Sequence, residues 1–148
     1  EAAALGKELI WLHTGGARFA APGASLPDPA TREIAPVTAL PASFRYSATD
    51  EVLHVGDGQC APVSEEAWLF EVSGLQVVRS WLKYRSAASR GKRSSPLDDI
   101  STGRWTFSDD LCRLIATVQG TVERTPLAAD LLSRVLDGPL FTLTEVHS

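Results

Sequence analysis

Apolar residues recur along the chain with two different periods, and the period changes where the elements change. Over residues 2–13, Leu5, Leu9 and Leu12 fall on one stripe, widened by Ile10 and Trp11, which predicts an α-helix stopped at Gly15-Gly16. Residues 21–42 break that period with Pro22, Pro27, Pro29, Pro36 and Pro41, so a loop or extended segment is expected. From 43 to 63 the period falls to two. Phe44 and Tyr46 alternate with polar neighbours, Val52, Leu53 and Val55 form a second strand, and Gly56-Asp57-Gly58 is a strong hairpin turn. Gln59–Val63 returns antiparallel, with Pro62 marking an edge or an end. Ser64 then caps a short helical turn through Trp68, and Leu69–Val72 reads as a strand.

After a tight turn at Gly74, the helical period resumes over Leu75–Tyr84, with Leu75, Val78 and Leu82 on the buried face. Residues 86–96 show no apolar period and read as an exposed loop. Leu111, Leu114, Ile115, Val118 and Val122 predict a helix over 107–124, preceded by Thr106-x-x-Asp109 in the manner of a capping box. A further helix is expected over 127–136, following Pro126 at its start and stopped by Gly138-Pro139. The sum is one α+β domain: a small antiparallel β-meander packed with about four helices, ending in a C-terminal helical pair.

Composition adds little until charge is located. The 148 residues carry a net charge of −4, yet the six basic residues Arg79, Lys83, Arg85, Arg90, Lys92 and Arg93 follow one another with no acidic residue between them. Removing them leaves 14 − 6 = 8 basic against 18 acidic residues, a net of −10. A +6 island on such a background attracts polyanions, unless it is merely a solvated loop that offsets the acidic bulk. Arg90-Gly91-Lys92-Arg93-Ser94-Ser95 combines cations, a glycine that lets backbone approach a ligand, and two hydroxyls, the groups that contact phosphate. Arg79, Lys83 and Arg85 are expected to project from the helix opposite its apolar stripe. Ser73-Gly74 offers amides at the helix mouth, and Gln76 and Gln59 carry the amide that pairs with adenine.

Other chemistry is sparse. The chain has no phosphate loop, no dinucleotide-binding glycine motif and no nucleophile elbow. His13, His54 and His147 are scattered, and His54 falls on the strand face opposite Leu53 and Val55. Asp98-Asp99 is a paired carboxylate that a metal-dependent nuclease would use. Its simpler role is to cap a turn and balance nearby arginines. Cys60 and Cys112 lack metal spacing and read as buried thiols of a reducing cytoplasm. Trp11, Trp68, Trp81 and Trp105 read as packing aromatics. No apolar run is long enough to cross a bilayer. The chain contains no Met, even at its start, which leads to the expectation of a piece of a longer, cytoplasmic protein.

Several segments together resemble a known family: Gly6-Lys7-Glu8-Leu9-Ile10-Trp11-Leu12-His13-Thr14 with Arg18-Phe19, Leu53-His54-Val55-Gly56-Asp57-Gly58, Ala61-Pro62-Val63, and Glu71-Val72-Ser73-Gly74. Ser80-Trp81-Leu82-x-Tyr84-Arg85, Ser94-Ser95-Pro96-Leu97-Asp98-Asp99-Ile100 and Gly138-Pro139-Leu140 extend the pattern. It is similar to the C-terminal specificity (target-recognition) domain of type ISP restriction-modification enzymes and related bacterial adenine-specific DNA methyltransferases. The resemblance spans nearly the whole chain outside 21–42. It implies a domain, monomeric by itself, that holds double-stranded DNA and reads a short site. A separate catalytic domain would bind S-adenosylmethionine and methylate a flipped adenine at N6. Neither the Asn/Asp-Pro-Pro-Tyr/Phe motif nor a cofactor-binding glycine motif is present, so no catalysis is expected of the chain alone and no cofactor or metal is assigned to it. The residues expected to contact DNA are Ser73, Gly74, Gln76, Arg79, Lys83, Arg85, Arg90, Lys92, Arg93, Ser94 and Ser95. The competing reading is a protein-interaction domain whose island docks an acidic partner or a neighbouring domain.

Overall fold

Alternation over 44–61 builds the sheet around which the rest is arranged. A computed structural model describes residues 1–19, 33–35, 37–87 and 105–138. Strands β1 (Glu33–Ala35), β2 (Phe44–Ser47), β3 (Val52–Val55) and β4 (Gly58–Ala61) form an antiparallel sheet in the order β1-β4-β3-β2. The register pairs Phe44 with Val55, Tyr46 with Leu53 and Leu53 with Cys60. These five residues therefore share one face, and Leu53, Val55 and Cys60 are buried there. The opposite face carries Arg45, His54 and Gln59 in one cross-strand row, as period two requires.

Helix α2 (Glu65–Leu69) starts as expected, with Ser64 Oγ accepting from the Ala67 amide at 3.2 Å. Its Trp68 stacks on Tyr46, with ring centroids 5.3 Å apart, and meets Phe44 edge-on at 6.3 Å. Helix α3 (Val77–Tyr84) inserts Val78 and Leu82, and the first half of α4 (Ser108–Leu136) inserts Leu111, Cys112, Ile115 and Val118, into the same core. The thiols of Cys60 and Cys112 lie 4.0 Å apart, so β4 and α4 touch directly. Helix α1 (Ala2–His13) lies antiparallel along α4. Leu12 is buried against Gly120, where an added Cβ would lie 2.9 Å from Leu12 Cδ2.

The structure refines or corrects several expectations. Within the proline-rich segment the extended alternative holds at Glu33–Ala35, which pairs with β4. That places β4 inside the sheet rather than at its edge, and the strand ends before Pro62 because proline has no amide to continue the ladder. Helix α2 runs to Leu69, so the returning strand is only β5 (Glu71–Val72). Leu75 and Gln76 form strand β6, not the first turn of α3, and Leu75 points to solvent. The C-terminal helical pair is a single helix, α4, with Pro126 inside it. Proline there removes the amide donor to the Val122 carbonyl. Around that position, side chains supply donors of their own. Thr125 Oγ1 donates to the Thr121 carbonyl at 3.0 Å, and Arg124 Nη1 to the Gly120 carbonyl at 2.8 Å. The capping box at Thr106 is also absent; α4 begins after Phe107 with no side-chain cap.

Candidate nucleic-acid interface

Strand β5 turns into β6 through Ser73 and Gly74, whose φ values of 51° and 79° are both left-handed. Two such residues make the turn whose twist matches the flanking strands, and glycine takes the second position without strain. The turn projects Val72 and Leu75 into solvent; Leu75 is 63% exposed. The Val77 amide donates to the Phe70 carbonyl at 3.0 Å, tying the hairpin base to the start of α3.

Burial of Val78 and Leu82 sets the rotation of α3, because positions four apart share one face. Arg79, Lys83 and Tyr84 are left exposed, Tyr84 by 83%. Arg79 Nη1 donates to Gln76 Oε1 at 3.3 Å, so these two expected contacts stand side by side. Arg85 behaves differently. Its guanidinium lies 4.2 Å from the Trp81 ring centroid and 5.4 Å from that of Phe107, and it donates to the Trp81 carbonyl at 3.5 Å. It does not project from the helix as expected. A planar cation gains more by lying on an indole face than by remaining in water, so it covers the aromatic cluster of Trp81, Trp105 and Phe107.

The chain beyond α3 is anchored at both ends. The Ala87 amide donates to the Pro41 carbonyl at 2.9 Å, and Trp105 Nε1 donates to the Arg85 carbonyl at 3.0 Å. Ala87 is thus held just after α3, and Trp105 is held against the C-terminal end of that helix. Arg90, Lys92, Arg93, Ser94 and Ser95, and with them Asp98 and Asp99, lie outside the described residues. Ser73, Gly74, Gln76, Arg79 and Lys83 are brought together on the hairpin and the exposed face of α3. The cross-strand row of Arg45, His54 and Gln59 lies on the sheet face turned away from the core. The strand parity of His54 pointed to that face, but nothing in the sequence aligned it with Arg45.

The family model of the type ISP C-terminal specificity domain matches residues 1–116. The chain belongs to this family. The match takes in α1, the sheet, α2, the hairpin, α3 and the start of α4. It includes the proline-rich segment that the sequence resemblance left out, and ends before Gly138-Pro139-Leu140. No curated protein and no solved structure matches the chain. A type ISP specificity domain provides DNA sequence recognition to a restriction-modification enzyme, so DNA and a catalytic partner domain are its counterparts. Among the described residues of this specificity domain, no three His, Cys, Asp or Glu side chains gather where they could hold a metal ion. No helix among them is long and apolar enough to cross a membrane.

Proposed function

We propose that this specificity domain reads duplex DNA with the β5–β6 turn, the exposed face of α3 and the basic segment 90–95, and so positions the duplex for adenine-N6 methylation by a separate catalytic domain that binds S-adenosylmethionine. The chain is, on this reading, the C-terminal part of a cytoplasmic methyltransferase and does no chemistry alone. The observation that carries the reading is the exposed pair Arg79 and Lys83 on α3, Arg79 hydrogen-bonded to Gln76, on a domain of a DNA-specificity family. Cations hold phosphate and set register; a side-chain amide can pair with the adenine edge. Ser94 and Ser95 add hydroxyl donors to the same phosphate chemistry.

Salt dependence is the direct test. Each phosphate neutralised contributes about 0.9 to the slope of log K against log salt. Replacing Arg90, Lys92 and Arg93 together with Ala is expected to flatten that slope by about 2 to 3 units for a mixed-sequence duplex. An unchanged slope removes the segment from the interface. Binding to an acidic protein, with no duplex affinity at low salt, would replace the whole reading with the protein-docking one.

A further inference from the structure

Helices α1 and α4 meet closely at one end of their contact and part at the other. Near Leu12 the small Gly120 lets them approach, and His13 Nε2 lies 3.0 Å from Thr121 Oγ1. Toward the start of α1 they enclose a groove of about 280 Å³. Its walls are Leu5 and Leu9 from α1 and Leu131, Leu132 and Val135 from α4, with only glycine and alanine filling the remainder. The lining has no polar side chain. Val135 is 65% exposed and Leu132 58%. The neighbouring Leu127 and Leu136 are exposed as well. Charge is confined to the border, where Arg134 bridges Glu1 at 2.7 Å and Asp130 at 3.2 Å. An apolar groove with a charged border is the form of an interface core and its rim.

We infer that this groove receives an apolar ridge of the catalytic domain that precedes the specificity domain in its parent polypeptide. The inference rests on the family reading that such a domain exists, and two observations select it over other occupants. The family is the C-terminal domain of its enzymes, so its covalent neighbour joins on the amino-terminal side. Ala2, at the start of α1, is itself part of the groove wall, so a neighbour joined there emerges at the groove. A tethered partner docks at millimolar effective concentration, so a groove of modest area is enough to hold it. The basic face of α3 plays no part in this contact. The DNA reading and the docking inference can therefore fail separately.

Cysteine labelling tests it. Cys60 and Cys112 are buried, so a maleimide reports mainly on an introduced thiol. Val135→Cys is placed in the 148-residue chain and in the parent polypeptide, with Leu132→Cys as a second, independent position. Both variants are expected to label quickly in the isolated chain and about tenfold or more slowly in the parent, the protection given by a docked, tethered neighbour. Equal rates in chain and parent overturn the inference. Labelling of the isolated chain that slows as its concentration rises assigns the groove to a second copy and also overturns it. So does slow labelling of the isolated chain that deletion of residues 139–148 relieves, which would assign the groove to the chain's own end.

Discussion

Gly56 shows how one backbone conformation holds two segments together. Its φ is 57°, and an added Cβ would lie 3.1 Å from Pro41 Cβ and 3.3 Å from Pro41 Cα. Both the left-handed conformation and the closeness of Pro41 disfavour a side chain. Gly56→Ala is expected to cost about 1–2 kcal/mol from the backbone alone, and more from the contact, as read by urea denaturation. The neighbouring Asp57 clamps the same junction, accepting from the Thr38 amide at 3.0 Å and from the Thr38 hydroxyl. Those hydrogen bonds, the hydroxyl's first, hold the Asp57 carboxyl below its usual value. A carboxyl lowered on folding stabilises the fold above its unfolded pKa, and the contribution fades as pH falls through the folded value. Asp57→Asn should therefore flatten the acid limb of stability below about pH 4 and leave the neutral range without that slope. A mutant with the wild-type acid limb would show that the clamp does not titrate with folding.

At the scale of elements, α3 separates two kinds of basic residue that look alike in the sequence. Arg79 and Lys83 stand in solvent, whereas Arg85 lies on Trp81 and Phe107. Arg85→Ala should lower stability by about 0.5–2 kcal/mol through the lost cation–π contact and leave the salt dependence of duplex binding nearly intact. The Arg79→Ala/Lys83→Ala double variant should do the reverse, flattening the slope by about 2 units with little change in melting temperature. Identical behaviour of the two variants would return Arg85 to the phosphate-contacting set. The apolar stripe of α3 was readable at Val78 and Leu82 but not at Leu75. A two-residue hairpin strand is too short to show a period, and its turn residues, Ser73 and Gly74, also suit a helix start. Helix α4 hides its continuity for a related reason: proline at a helix start and proline in a helix interior look the same in sequence, and only the unbroken run from Ser108 to Leu136 tells them apart.

Across the whole molecule, one core joins the sheet, α2, α3 and the first half of α4, while α1 sits on the middle of α4 through Leu12. Leu12→Ala is expected to cost about 2–5 kcal/mol and to loosen α1. Hydrogen exchange should show α1 amides losing protection before those of β3; a uniform loss would mean that α1 and the sheet open as one unit. The surface salt bridges Glu8–Arg124 and Glu1–Arg134 along this contact are solvent-exposed on at least one side and contribute little beside that burial. The proposed interfaces use different parts of this arrangement: the hairpin and α3 for DNA, the α1–α4 groove for the domain before it.

The sequence by itself determined the local periods. They placed α1, the β2–β3–β4 meander, the cap of α2 and the buried face of α4, because apolar spacing and turn chemistry act over a few residues. They also located the cationic island, because charge order needs no coordinates. Tertiary structure alone decided what depends on distant partners. Strand β1 exists because β4 offers it an open edge, and Arg85 is turned inward because Trp105 and Phe107 return from another part of the chain to meet Trp81. Arg45, His54 and Gln59 form a row only through strand register. The groove arises because Gly120 lets α1 approach α4 closely at one end, while Leu132, Val135 and Leu136 beyond it stay largely exposed.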